Sequence, residues 1–384
     1  MNAEKARPLR AALVGCGAMG RGQGGIVAGL DEFELTAVCD VLPENAQRAA
    51  EATGAKAFAD FDEMVAAERP DVVCVCTAND SHASLTIRAA EAGARGVFCE
   101  KPMATCLPDA RAMVEACERT GAPLVVNHQR RIGPDLVRAR QLIEAGAIGE
   151  VRLLRVQCAG DVLSDGTHAI DSALFLAGDA EVEWVFGQVH RDVAAEAEAM
   201  SRGKSAERPG YRYGHPVETG AMAVFRLAGG LRVELFCGDL CGDRRAYQDY
   251  EVLGRDGRLW RTGDAAKGNL FIQDARGGDW AEGLDGNGWP YKPIPPEAGR
   301  CGAWRPVELG EGEPSNPIAD AYRLFARQVA GERLRHPMSG ENALRGFEVV
   351  MAIYESARLN QKLRLPIEQE RFPLARMIEQ GRLP

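Results

Sequence analysis

Leu9-Arg10-Ala11-Ala12-Leu13-Val14-Gly15-Cys16-Gly17-Ala18-Met19-Gly20 is the stretch on which the fold turns. Six mostly apolar residues read as a buried strand, and a Gly-x-Gly-x-x-Gly run carries the chain from it into a helix. The first glycine permits a tight turn. The second lets backbone amides approach a pyrophosphate, and the third allows close packing of helix on strand. A diphosphate then sits at the helix N-terminus, facing free N–H groups and the positive end of the dipole. Asp40 follows Gly20 by twenty residues, at the end of the next apolar run. A carboxylate there accepts bonds from the adenosine ribose hydroxyls. Gly15, Gly17, Ala18, Met19, Gly20 and Asp40 are thus the expected dinucleotide-binding set. Asp40 repels a 2′-phosphate, and Val41 and Leu42 offer no cation, so NAD is expected over NADP; Arg48 alone points the other way. The plainer reading of Asp40 is a residue that starts the turn before Pro43.

The same cadence continues to residue 127. Leu9–Val14, Glu34–Cys39, Val72–Cys76, Val97–Glu100 and Leu124–Val126 are short apolar runs, separated by helical stretches such as Pro43–Thr53, His82–Ala92 and Pro108–Thr120. Strands alternating with helices predict an α/β class and a doubly wound parallel Rossmann sheet over residues 1–127. Gly22, Gly24 and Gly25 are odd in the first helix, because each costs about 1 kcal/mol relative to alanine. They predict either a close approach there or a late helix start.

Val97-Phe98-Cys99-Glu100-Lys101-Pro102 carries the chemistry. Proline cannot donate to a sheet ladder, so the strand stops and Lys101 emerges at its carboxyl edge. Open α/β sheets bind ligands at that edge. A lysine there can bond a substrate hydroxyl and help move its proton; the bland alternative is a lysine that merely ends a strand.

Composition narrows the partners. The 384 residues are 46% hydrophobic and 26% charged, with a net charge of −9 and no basic run. Nucleic acid and anionic membranes are poor partners for such a surface. The first apolar run is too short for a signal sequence, and no transmembrane segment is read. Of eleven cysteines, most lie inside apolar strands. They fit buried thiols of a reducing cytoplasm, and no metal site is expected, including at Cys237 and Cys241.

These segments resemble the glucose–fructose oxidoreductase, inositol dehydrogenase and rhizopine-catabolism (Gfo/Idh/MocA) family. The resemblance is carried by GCGAMG at 15–20, CTANDSH at 76–82, AGARGVFCEKP at 92–102, DGTHAID at 165–171 and ENALRGFEVVMAIYESA at 341–357. It implies a second α/β domain, 128–384, with a large mostly antiparallel sheet that binds substrate and often mediates oligomers. It also implies that Lys101 contacts substrate and cofactor, that His168 is the acid/base, and that Thr77, Asn79, His82 and Glu100 lie along the cofactor. Asp80 and Ser81 read equally well as helix caps. Independently of the family, Ala221–Leu227, Leu231–Cys237 and Tyr250–Leu253 alternate as strands do.

His168 also has a local argument. Thr167 is expected to cap a helix from His168 to Ala177, and the dipole there disfavours protonation of the ring. A neutral imidazole can accept an alcohol's proton, with Asp171 one turn on to orient it. Many family members place an aspartate four residues before this histidine; here Ser164 stands there and Asp165 follows. Asp165 either replaces it or binds substrate hydroxyls. Asn127, Arg130, Asp165, Thr167 and Asp171 are the expected substrate-binding residues, with His128 read as packing. Arg130 and Arg131 are the candidates for clamping a carboxylate, or else pair with acids. Long polar segments at 191–217 and 275–305, with Trp280, Trp289 and Trp304, read as substrate-facing or gap-filling loops.

The leading expectation is an NAD-dependent oxidoreductase acting on a secondary ring hydroxyl of a sugar, glycoside or cyclitol, and forming a dimer or tetramer. Two alternatives stay open. One is a redox-neutral glycosidase, lyase or epimerase with tightly held NAD. The other is a non-catalytic nucleotide-dependent sensor.

Overall fold

The computed structural model describes residues 7–194, 197, 209–241, 247–264, 268–274, 304–309 and 316–384. Strands β1 (Leu9–Val14), β2 (Phe33–Cys39), β3 (Lys56–Phe58), β4 (Val72–Val75), β5 (Gly96–Cys99) and β6 (Leu124–Val126) form a parallel sheet in the order β3-β2-β1-β4-β5-β6. Helices α1 (Ala18–Ala28), α2 (Pro43–Thr53), α3 (Phe61–Glu68), α4 (His82–Glu91) and α5 (Leu107–Thr120) connect them. The strand order reverses between β1 and β4. Ligands of open α/β sheets lie outside the carboxyl ends of strands at such a point. This is the Rossmann arrangement expected from the glycine run.

A second sheet has nine strands and is mostly antiparallel. Its members are β7 (Val151–Cys158), β8 (Val182–His190), β11 (Gly220–Leu227), β12 (Arg232–Gly238), β13 (Gln248–Gly254), β14 (Gly257–Arg261), β15 (Leu270–Asp274), β16 (Arg305–Pro306) and β17 (Leu363–Arg364). Among the described residues of this sheet, only β7 and β12 pair in parallel. Between β8 and β11, a small hairpin of β9 (Tyr211–Arg212) and β10 (His215–Pro216) stands apart from this sheet. Burial alternates along β12 and β13, so one face is packed and the other is not. Helix α6 (Pro134–Glu144) lies between the two sheets in sequence, and α7 (Thr167–Leu176) connects β7 to β8.

Two late helices tie the halves together. Helix α8 (Pro317–Val329) starts at Asn316, whose side chain accepts the N–H groups of Ile318 and Ala319 at 3.1 and 3.3 Å. Its Tyr322 ring stacks on Phe98 of β5 at 4.1 Å, and Phe325 meets the same ring edge-on. Such pairs add about 0.5–1.5 kcal/mol beyond their burial. The Rossmann sheet is therefore covered in part by a segment distant in sequence. Helix α9 (Gly340–Leu359) buries Phe347, Val350 and Ile353 in the core shared with the second sheet. Helix α10 (Pro373–Glu379) closes the chain against α9.

Two open readings narrow here. Helix α1 begins at Ala18, and a Cβ on Gly22 or Gly25 would meet nothing within 4 Å. So neither a late start nor a close protein approach explains those glycines. Trp304 does not face the cleft; it packs 5.8 Å from Trp260, whose strand turns the neighbouring Leu259 inward. Trp280 and Trp289 lie outside the described residues. Among the described residues, no helix is long and apolar enough to cross a membrane.

Candidate active site

The glycine loop has the shape its sequence requires. Gly15 has φ +89°, and a Cβ on Gly20 would fall 1.8 Å from the Gly15 carbonyl oxygen. At Gly17 a Cβ would meet nothing within 4 Å, so space remains above the loop for a ligand. Helix α1 has no side-chain cap, which leaves its first N–H groups for an anion. Asp40 accepts the Cys16 N–H at 2.7 Å and the Leu42 N–H at 2.9 Å. Both readings of Asp40 are thus compatible: it shapes the turn and the glycine loop, and each oxygen keeps a second lone pair for a ribose hydroxyl. Beside it, Met19, Val41 and Leu42 are 53%, 86% and 51% exposed, an apolar border suited to a flat base. The residues present fit a dinucleotide.

At the other end of the cleft, Lys101 follows β5 and its Nζ donates to the Ser164 carbonyl at 2.9 Å. Asp165 Oδ1 is 4.0 Å from the same nitrogen. The reason is a single π-helical turn, Val162–Gly166, whose extra residue swings Asp165 toward the lysine. Asp161 caps this turn, accepting the Ser164 N–H at 2.6 Å. The Ser164 hydroxyl instead meets His215 Nε2 at 3.3 Å. Asp165 also accepts bonds from Tyr247 and, at 2.5 Å, from Arg212 Nη1.

His168 lies one residue inside α7 and is buried, with no protein partner for Nδ1 among the described residues. Burial, and then Arg130, Lys101 and His128, push its pKa well below the ordinary histidine value. The ring is neutral. Its helix is not capped by Thr167, which is the first helical residue; Gly166 takes the capping position. Nor does Asp171 orient His168. Its Oδ2 accepts Arg131 Nε at 2.8 Å, and Arg131 continues to Asp179 at 2.8 Å. A guanidinium outcompetes a neutral ring for a buried carboxylate. His128, held at about 4 chiefly by burial, packs edge-on against His168 at 5.4 Å and contacts the Thr167 hydroxyl at 3.1 Å. The Thr167 hydroxyl is thus shared with His128, while Asp171 keeps Oδ1 without a hydrogen-bond partner among the described residues as its Oδ2 holds Arg131.

Several cofactor expectations are corrected in the same way. His82 is fully buried, with Nδ1 2.7 Å from the Pro102 carbonyl and Nε2 3.1 Å from that of Thr77. It locks two loops together rather than facing a ligand. Glu100 is buried and bonded to Gln23, to Asn127 Nδ2 at 2.8 Å and to the Lys101 N–H at 3.1 Å. Asn79 is buried against His215 Nε2 at 2.9 Å. Thr77 remains half-buried, its hydroxyl accepting from Ser81 at 2.7 Å. Asn127 keeps Oδ1 without a protein partner, and Arg130 keeps Nη1 while its other nitrogens grip Asp264.

Sequence reading missed Gln23, Tyr322, Asp161, Tyr247, Glu218 and Asp264. Gln23 had a signal: it interrupts the buried stripe Gly20, Gly24, Val27 of α1. Its side chain links Glu100 to the Tyr322 hydroxyl of α8. The others come from distant segments and had none. Among the described residues, no group of three or more His, Cys, Asp or Glu is arranged to hold a metal.

Comparison with known proteins agrees with this geometry. The profile described as oxidoreductase family, NAD-binding Rossmann fold, matches residues 9–128, and the GFO/IDH/MocA C-terminal domain matches residues 136–260. D-apiose dehydrogenase of Paraburkholderia graminis is 35% identical over 202 residues, covering 50% of this chain and 54% of that one. Inositol 2-dehydrogenase of Rhizobium meliloti is 33% identical over 188 residues, covering 45% and 56%. The chain thus spans about half the length of these curated relatives. Levoglucosan dehydrogenase, solved with NADH and levoglucosan, superposes with a TM-score of 0.71 at 23% identity, covering 94% of this chain and 99% of that one. The WlbA dehydrogenase of Bordetella pertussis, solved with NADH and UDP-GlcNAcA, gives 0.70 at 23%, covering 94% and 100%. With both family domains matched in order on a six-stranded Rossmann sheet and a nine-stranded partner, the chain belongs to the Gfo/Idh/MocA oxidoreductase family, with an NAD-binding N-terminal domain.

Proposed function

We propose that this protein oxidises a secondary ring hydroxyl of a neutral sugar, glycoside or cyclitol. Bound NAD would supply the hydride acceptor. Lys101 Nζ would donate to the substrate oxygen, and the neutral His168 ring would take the hydroxyl proton as the carbonyl forms. Asn127 Oδ1, Arg130 Nη1 and Asp165 would hold neighbouring hydroxyls.

The observation that carries this reading is the pairing of the cleft's guanidiniums. Arg131 is spent on Asp171 and Asp179, Arg130 on Asp264 but for one nitrogen, and Arg212 on two aspartates. None offers the free two-pronged face that a carboxylate needs. A hydroxyl needs one donor or acceptor at a time. The names of the relatives, dehydrogenases of apiose and inositol, support the same class.

We further propose a cytoplasmic homo-oligomer, a dimer or tetramer. Cys39, Cys74, Cys76 and Cys99 are buried free thiols, as in reducing compartments. Phe186, Met222 and Trp260 lie exposed on the nine-stranded sheet, which supports association through that face.

The test is a panel of sugars, glycosides, inositols and small hydroxy acids with NAD, followed both for NADH and for product. NADH formation with polyols is expected. Turnover confined to hydroxy acids would overturn the reading, and product at constant NADH would move the protein to the redox-neutral class.

A further inference from the structure

We propose that Arg212 is a positioning residue that fixes the Asp165 carboxylate beside Lys101, delivered to the cleft by a hairpin that spans it. The inference deepens the reading above and rests on Lys101 acting there.

Two carboxylates meet at this point. Asp161 and Asp165 are both buried, and Arg212 Nη1 bonds both, at 3.2 and 2.5 Å. Like charges desolvated side by side cannot both stay ionised without a cation between them. A third acid, Glu218, sits against Asp161; its carboxylate accepts the Val162 N–H at 2.6 Å and the Tyr354 hydroxyl at 2.7 Å. Burial and Asp161 raise Glu218 to about 7, so near neutral pH it carries only part of a charge. Arg212 is therefore the cation shared by the two aspartates, and Lys101, 4.0 Å from Asp165, approaches from the opposite side. The phenol of Tyr247 donates to the Asp165 oxygen nearest the lysine. Lys101 also lies within the electrostatic reach of Glu100, His82, His128 and His168.

The support of Arg212 is as specific as its contacts. The hairpin turns at Tyr213 and Gly214, whose φ values of +49° and +88° suit a tight two-residue turn. Arg191 clips its base, bonding the carbonyls of Val217 and Gly210, each at 2.9 Å. Its tip rests on the loop after β4: the Asn79 N–H donates to the Tyr213 carbonyl at 3.3 Å, and the Asn79 side chain to His215 Nε2 at 2.9 Å. His215 Nδ1 faces the Pro216 carbonyl, so Nε2 is the acceptor. One short hairpin thus leans on the Rossmann side while placing a guanidinium in the π-turn. Asp165 is held from the hairpin, not from its own helix.

The experiment compares Arg212→Met and Arg212→Lys with the wild type. In R212M the loss falls on kcat rather than KM, by about 10- to 100-fold, the scale on which supporting partners act. The acid side of its kcat–pH profile moves to higher pH, because one of the two stranded aspartates takes up a proton. R212K restores part of kcat and moves the profile back. Loss in R212M that is equal at every pH and unrelieved in R212K would reduce Arg212 to a structural brace and overturn the proposal, as would unchanged kinetics. A second readout needs no turnover: the rate at which acetic anhydride labels Lys101 at pH 8, read by peptide mass mapping. Removing a neighbouring cation favours the charged ammonium, so labelling slows several-fold in R212M; an equal rate overturns the inference. A wild type that turns over no polyol, yet shows this labelling difference, would sink the proposed function and leave the role of Arg212 standing.

Discussion

At the Asp40 end of the cleft the surface is open. One carboxylate, a bare helix N-terminus and three exposed apolar side chains face solvent. At the Lys101 end, Asp161, Asp165, His128, His168 and Asp171 are all buried, and each of the three carboxylates meets a guanidinium. The first end offers shape and a single charge, which suits affinity for a ligand with a flat base and ribose hydroxyls. The second has its charges fixed before any ligand arrives. Preorganised groups cost no reorganisation when charge develops at a reacting atom. Binding and chemistry are thus carried by different residues at two ends of one cleft, and that separation can be tested.

The largest expected effect is at the buried end. Lys101→Ala and His168→Ala should each lower kcat by about 100- to 10,000-fold. The double variant should lose far less than the product of the two, since groups acting as a unit are non-additive. NAD affinity, followed by fluorescence titration, should stay within a few-fold. A parallel collapse of NAD binding would mean that the two ends are not separable.

Asp171→Ala asks whether the buried end depends on its ion pairs. It takes one of two carboxylates from Arg131, which is 2% exposed and keeps Asp179 and the carbonyl of residue 171. A loss on the order of 3–5 kcal/mol is expected in urea unfolding. A loss below 1 kcal/mol would show that the site tolerates a guanidinium with one of its carboxylates removed and would weaken the contrast.

The pH dependence of stability sharpens the same contrast. His128 and His336 are both held at about 4, and His82 and His168 are also lowered, chiefly by burial. The unfolded chain, with histidines near 6.5, then binds more protons than the folded one. Stability from these groups is present above that value and lost as pH falls from about 6.5 toward 4, on the order of 3 kcal/mol for each of the first two. Urea midpoints at pH 7.5, 5.5 and 4.5 measure it. His336→Gln, far from the cleft, should flatten the slope without altering kcat. An unchanged slope would assign the acid sensitivity to the cleft histidines alone.

The smallest effect belongs to the open end. Asp40→Ala should weaken NAD about tenfold, the equivalent of one charge-assisted hydrogen bond, and narrow the gap to NADP. Tighter NADP than NAD in the wild type would reverse the specificity expected from this carboxylate.

The open end was readable from the chain because its determinants are local. A strand, a glycine turn and an acid twenty residues on are separated by one βα unit, and each glycine is required by backbone geometry. Lys101 was readable for the same reason, since Pro102 ends the strand beside it. Thr167 and Asp171 misled because helix spacing says which residues share a face, not which partner outbids another. Arg131 reaches Asp171 across forty residues, and no local pattern announces it. The π-turn was hidden too: nothing in the local pattern announces the turn that leaves Asp165 4.0 Å from Lys101.

The sequence alone determined the Rossmann sheet, the cofactor edge, the emergence of Lys101 and the family, because hydrophobic period, glycine placement and proline act within a few residues. Only the tertiary structure decided which acids stay free, that α8 covers part of the Rossmann sheet, and that Arg212 enters the site from a hairpin. Those outcomes depend on competition among buried charges from distant segments. In a low-dielectric interior each charge takes the best partner that folding brings within reach.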